Sequence, residues 1–246
     1  MSNDAIEVYE GQAQVELDIW RRKMQESPSF AGVVSKAIQK KVNSFIPDKI
    51  HDYITTAIKQ MVKLVLLGSS YTVSEPMNEG SLLLREAYVR EKLDFYKKTA
   101  SAEGAITGAG GILMGLADFP ILFGIKIKLL YEIAALYGHD VSDYRERIYL
   151  LYIFQLAFSS QDRRNSIYKI LDDWPQYSKN LPEDLNDFDW LTFQQEYRDY
   201  LDLAKLAQLI PIIGAPVGAI VNYRLLEKLG ETAKNSYRLR RIQIRN

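Results

Sequence analysis

Apolar residues recur along most of this chain at spacings of three and four, the period that lines one face of an α-helix. Ile6 to Met24 predicts a first helix. Its apolar positions (Val8, Val15, Leu17, Ile19, Trp20) are irregular, but no proline interrupts them and Pro28 follows. Phe30 to Phe45 is more regular: Phe30, Val33, Val34, Ala37, Ile38, Val42 and Phe45 share a face, with Lys36, Lys40 and Lys41 off it. A basic amphipathic helix of this kind suits a core position with a solvated back, or a membrane surface. Pro47 suits the first turn of a helix that keeps its spacing from Ile50 to about Leu67, where Gly68-Ser69-Ser70 stops it. After a loop containing Pro76, the residues Val89, Leu93, Tyr96 and Ala100 mark a charged helix.

That helix runs into the most distinctive stretch, Ala100 to Asp140, where glycine and alanine crowd together. Between Glu103 and Lys126 the single formal charge is Asp118. Gly104 with Gly108, and Gly111 with Gly115, make small faces that let helix backbones pack closely. Each interior glycine disfavours a helix by about 1 kcal/mol relative to alanine, so packing must supply the difference. The pattern predicts a helical hairpin or bent helix, broken at Asp118-Phe119-Pro120. Asp118 then caps a new helix that runs to Tyr137 and ends at Gly138.

Asp143 with Glu146 predicts a capped start for the next helix, and Tyr144 to Phe158 is apolar nearly all round, as in a central buried helix. A short helix from Asn165 to Trp174, ended by Pro175, leads into a polar, acidic connection from Gln176 to Asp189. Trp190, Phe193, Tyr197, Leu201 and Ala204 then share a helical face. Leu206 to Arg224 resembles a shorter copy of the glycine-rich stretch, interrupted by Pro211 and Pro216, with Gly214 and Gly218 as its small face. No segment alternates over strand length. The expected fold is all-α: a single compact multi-helix bundle over residues 1–246, with two glycine-rich helical hairpins at its centre.

At 246 residues and 47% hydrophobic, the chain can bury a substantial core. Its net charge of zero gives no general attraction to nucleic acid, and none is expected as a partner. The balance hides an asymmetry: acids dominate between Asp172 and Asp199, and bases between Arg224 and Arg245. The basic segment either packs on the acidic one or faces phosphate head groups. With no cysteine there is no disulfide, thiolate metal site or cysteine nucleophile. The acidic N-terminus has no apolar core and does not read as a signal peptide. Gly104 to Ile125 nominally reaches the roughly 20 residues that span a bilayer, but glycines and Pro120 interrupt it. Soluble core hairpins and interface-seated hairpins both remain open, ahead of true spans.

The residues AEGAITGAGGILMGLADFPIL, followed by Leu129-Leu130-Tyr131-Glu132-Ile133-Ala134 and Tyr137-Gly138, resemble the core motif of the EcsC family. The closing IPIIGAPVGAIVNYRLLEKLGETAKNSYRLRRI is similar to that family's C-terminal motif. The resemblance divides the chain into N-terminal amphipathic helices (about 6–67), a core motif (about 82–160) and a C-terminal motif (about 189–246). The family takes its name from an operon that also encodes an ABC-transporter ATPase and its membrane subunit. The resemblance therefore implies a bacterial accessory protein on the cytoplasmic side, peripheral on the inner face of the cell membrane and linked to protein secretion. ABC-transporter subunits, another membrane protein and anionic lipid are the implied partners. No catalytic residue comes with it.

Chemistry is sparse. His51 and His139 are the only histidines, nothing pairs them, and no HExxH pattern occurs. Gly108-Ala109-Gly110-Gly111 is neither a phosphate-binding loop nor a dinucleotide fingerprint. No cofactor or resident metal is expected. The sharpest polar groups are Glu103, Asp118 and Glu132 around the first apolar stretch and Asn222 and Arg224 in the second. A carboxylate in apolar surroundings needs a partner, which Arg224 or Lys126 can supply. The simpler arrangement is a helix cap, ion pairs and an asparagine tie; the enzymatic alternative is a soluble hydrolase whose three carboxylates handle water or a hard divalent metal. In the accessory reading, Arg238, Arg240, Arg241 and Arg245 contact lipid or a partner. A further alternative is a non-catalytic protein-interaction scaffold with an aromatic surface.

Overall fold

A computed structural model describes residues 3–26, 56, 59–60, 62, 65, 74–109, 111–183, 185–187 and 215–245. Within the helices, the side chains of 104–109, 111–120, 161–162, 185, 215–218 and 244–245 lie outside that description. Every regular element among the described residues is helical. In chain order these are α1 (Asn3–Gln25), α2 (Leu82–Ala109), α3 (Gly111–Leu136), α4 (Tyr144–Phe158), α5 (Gln161–Asp172), the single turn α6 (Trp174–Tyr177) and α7 (Ala215–Arg245). Two short 3-10 turns, Ser178–Asn180 and Leu185–Asp187, follow α6 in the acidic connection. The expected helices over 30–45 and from Trp190 to Ala204 fall outside the described residues.

Cross-links set the directions. Arg85 Nη1 donates to the Leu136 carbonyl at 2.7 Å and Lys92 pairs with Glu132 at 3.2 Å, so α3 runs back along α2. Ser101 Oγ donates to the Ala219 carbonyl at 3.2 Å, and Arg238 Nη2 reaches Glu86 at 2.6 Å, so α7 also runs antiparallel to α2. The α2–α7 seam is the most extensive in the structure. Gly230 permits this closeness, because a Cβ there would lie 2.6 Å from Leu93 Cδ1. Val89, Leu93, Tyr96 and Ala100 on α2 are all buried, as their spacing predicts.

α4 occupies the middle of the core: it is buried from Glu146 to Phe158 without a gap. Asp143 caps it, accepting from the Arg145 N–H at 2.9 Å. Glu146 does not complete a capping box; its carboxylate turns inward to Tyr237 and Arg240. The buried apolar residues of all these helices form one cluster. The two glycine-rich hairpins expected at the centre fall largely outside the described side chains. The described flanks of both, α2 beyond Lys97, the start of α3 and the start of α7, meet at one end of the bundle. The packing expected of Gly104, Gly108, Gly111, Gly115 and Gly218 concerns surroundings outside the description, and Gly214 is itself outside it.

Two boundaries differ from expectation. The helices separate at position 110, and α3 continues unbroken through Asp118-Phe119-Pro120. A proline deletes one helical hydrogen bond and is disfavoured inside a helix, yet residues 111–136 are helical throughout. Asp118 is consequently not a cap. Pro175 does not close a helix either: it lies in the first turn of α6, where its missing N–H costs nothing. Gly138 does end α3 as expected, with φ +89°. Its Cα faces the Met77 carbonyl, which would sit 3.0 Å from an added Cβ. Gly138→Ala should therefore destabilise the fold by about 1–3 kcal/mol in chemical denaturation, from strain and crowding together.

Candidate functional site

Two polar centres are built into this bundle. The first surrounds Glu86, which lies on the same face of α2 as Val89 and Leu93 and is 3% exposed. Arg238 closes on it bidentately, Nε to Oε1 at 2.7 Å and Nη2 to Oε2 at 2.6 Å. Tyr9 and Tyr137 donate to the same carboxylate at 2.7 and 2.9 Å. Arg238 also holds Glu16 at 2.7 Å. Burial pushes the Glu86 carboxyl up, but the Arg238 hydrogen bonds and charge outweigh it and hold the group below the usual carboxylate range. Burial likewise opposes the charge on Arg238, and Glu86 more than offsets it, holding the guanidinium above its usual range.

Beside Arg238 on α7, Tyr237 donates to Glu146 at 2.5 Å, and Arg240 pairs with the same carboxylate. The Tyr237 ring stacks on Tyr137 and on His139, and the Arg240 guanidinium lies over Tyr149. Burial lowers the His139 pKa, with Glu146 opposing the shift. Arg241 reaches Glu10 at 3.3 Å. Thus Arg238 is 4% exposed and Arg240 is engaged inside the fold, where a lipid or partner surface cannot reach both. Arg241 is bound to α1, and the Arg245 side chain lies outside the description. The carboxylates that pair with these arginines come from α1, α2 and α4, not from the acidic connection. Every group in this centre already has a strong internal partner, so it reads as an assembly lock.

The second centre is Lys126 on α3. Its side chain is completely buried, and its amine donates to the Leu122 carbonyl at 3.1 Å and to Asn222 Oδ1 at 3.2 Å. Both acceptors are uncharged. Desolvation lowers its pKa from 10.5 to about 7. In place of the carboxylate expected for Lys126, its partners among the described residues are the Leu122 carbonyl and Asn222. Glu132 is satisfied elsewhere, by Lys92 and by Ser74 Oγ at 3.0 Å. Arg224 is exposed, and Glu103 is half-buried on α2. Asp118 and Glu132 are both on α3, fourteen residues apart, a separation of about 21 Å along the axis. The three carboxylates therefore do not share one water or metal. Among the described residues, no group of acids and histidines is arranged to hold a metal ion.

Around Lys126 the bundle has a layered end. Lys97 pairs with Asp94 and Glu227 and lies over the Tyr223 ring at 4.7 Å. This contact and the Lys126–Asn222 bond put Lys98, Lys128 and Arg224 at one level of α2, α3 and α7. Lys98 and Arg224 are exposed and Lys128 half-buried. Ile121, Ile220 and Tyr223 stand at or beyond that level, 52%, 54% and 40% exposed, with Phe95 beside it at 61%. Past them lie the charge-poor helix ends. Eleven residues separate Lys98 from Ala109, about 16 Å of helix. No helix among the described residues is long and apolar enough to cross a membrane. Sequence reasoning missed Glu86, Glu146 and this level of cations; the signal for Glu86 was its place on the apolar face of α2.

An all-helical bundle locked by a tyrosine-lined ion network, with two charge-poor motifs meeting at one end, defines the class. The chain belongs to the EcsC protein family, whose family model matches residues 11–242. It is 44% identical over 222 residues to Protein EcsC of Bacillus subtilis (strain 168), covering 90% of this chain and 91% of that one. It is also 32% identical over 145 residues to the uncharacterized protein YdbA of the same organism, covering 58% of this chain and 53% of that relative. No solved structure matches it significantly.

Glu86→Gln should cost about 3–5 kcal/mol in urea denaturation, because it strands a buried guanidinium. The double change Glu86→Leu with Arg238→Met should recover most of that loss. For Lys126 the sign is opposite. Its folded pKa of about 7 lies below the unfolded value, so wild-type stability rises with pH across the window from about 7 to 10.5. Lys126→Met should stabilise the protein by about 2–4 kcal/mol at pH 7, with the gain shrinking towards pH 10.

Proposed function

We propose that this protein is a non-enzymatic accessory protein that docks end-on at the cytoplasmic face of the bacterial membrane, beside an ABC transporter or secretion machinery. One observation carries the docking part: both charge-poor motifs converge on one end, behind which Lys98, Lys128 and Arg224 stand at a common level. Apolar residues beyond a level of cations match the layering of an anionic bilayer, where apolar groups enter the acyl boundary and amines reach phosphate. The length of the end supports seating rather than crossing, since about 16 Å is roughly half of a ~30 Å hydrocarbon core. The transporter part rests on the family. An enzymatic role has no support from the separated carboxylates.

As lipid contacts, Arg238, Arg240, Arg241 and Arg245 give way in this reading to Lys98, Lys128 and Arg224. Each cation near an anionic surface contributes about 1 kcal/mol. Changing all three to glutamine should weaken binding to phosphatidylglycerol-containing vesicles by roughly 100-fold in co-sedimentation, and salt should do the same to the wild type. The same variant should leave the membrane pellet when cells are fractionated. Unchanged vesicle binding by the triple variant would remove the docking surface from the reading.

A further inference from the structure

Close to the level of cations lies a further amine, Lys126, and it faces inward. We infer that Lys126 is the group whose protonation is coupled to seating of this end on an anionic bilayer. The inference rests on the docking proposed above and adds its regulation.

The geometry is specific to a neutral amine. Lys126 is completely buried, one turn from Leu122, whose carbonyl it binds, and opposite Asn222 on α7. An ammonium has three donors, and two neutral acceptors leave one donor and the whole charge uncompensated. Among the described residues, the neighbouring elements do not supply a counter-charge. On α2 the charged groups are Asp94, Lys97, Lys98 and Glu103, and Asp94 is tied to Lys97. On α7 they are Arg224, Glu227 and Lys228, with Glu227 also on Lys97. On α3 itself, Lys128 is two residues away and Asp118 two turns away, about 12 Å along the axis. From α4, Phe154 packs on Phe123, an apolar wall. Desolvation places the balance between amine and ammonium near pH 7, so a modest external field decides it.

An anionic surface supplies such a field. Its potential falls off within a Debye length of about 8–10 Å, and Lys126 lies at the level where that field is felt if Lys98, Lys128 and Arg224 meet phosphate. The surface then stabilises the ammonium and raises its pKa by roughly half a unit to one unit. By linkage, a protonated Lys126 strengthens seating by the same factor, roughly 3- to 10-fold. Low cytoplasmic pH thus favours the docked protein, and high pH releases it.

The test is co-sedimentation of the full chain with vesicles of phosphatidylglycerol and phosphatidylcholine at pH 5.5, 7 and 8.5. Wild-type binding should strengthen roughly 3- to 10-fold from pH 8.5 to 5.5. Lys126→Met, a variant that removes the buried amine and should fold at least as well, should bind independently of pH at the wild type's alkaline strength. Asn222→Asp places a carboxylate on the amine, keeps it protonated, and should also remove the dependence. If the wild type binds without pH dependence, or Lys126→Met retains it, the coupling is wrong while docking stands. If the wild type does not bind these vesicles at any pH, docking fails and the coupling with it.

Discussion

A buried carboxylate on α2 must be neutralised, and Arg238 is the residue that does it. Glu86 accepts from Arg238, Tyr9 and Tyr137, so one side chain joins α1, α2, α7 and the end of α3. Exposed ion pairs contribute little to stability, but breaking a buried one leaves an unsolvated charge, which is far more costly. That cost gives the network its directing power. α7 can slide along α2 only by a full turn, and any such slide separates Arg238 from Glu86 and Tyr237 from Glu146 together. Register along a mostly apolar seam, which hydrophobic contact alone defines poorly, is set by these two pairs.

With register fixed in the lower half, the upper half is free to be apolar. The two halves of α7 are chemically different. From Glu231 to Arg241 it carries paired charges and Tyr237; from Ala215 to Tyr223 it is uncharged. Lys126 and Asn222 stand on the border. The proposed docking end is thus attached to a locked base, and its orientation follows from the base.

Periodicity made the helical fold readable. Val89, Leu93, Tyr96 and Ala100, and the nearly continuous apolar run of α4, are buried where their spacing puts them. It also showed Lys126 and Asn222 as polar residues in apolar settings. Local pattern says nothing about partners, however, and the missed features depend on partners. Arg238 looked like a surface cation because charges usually are, yet its carboxylate is 152 residues away in the chain. Asp118-Phe119-Pro120 looked like the break, yet the helices separate at position 110 and the chain stays helical through Pro120. Asp118 and Glu132, which looked close because the sequence round them was apolar, are fourteen residues apart on one helix.

The order of the helices along the chain has its own consequence for biogenesis. α7 follows the carboxylates of other helices that its arginines neutralise, namely Glu10, Glu16, Glu86 and Glu146. As the chain emerges from the ribosome, α2 and α4 must wait with acidic groups on faces that will later be dry. Hydration keeps those faces apart until the last helix arrives, and the long sequence separations make its arrival the slow event. A chain interrupted before Arg238 lacks the guanidinium that neutralises Glu86. The same arginine that sets the register also reports that synthesis has passed it.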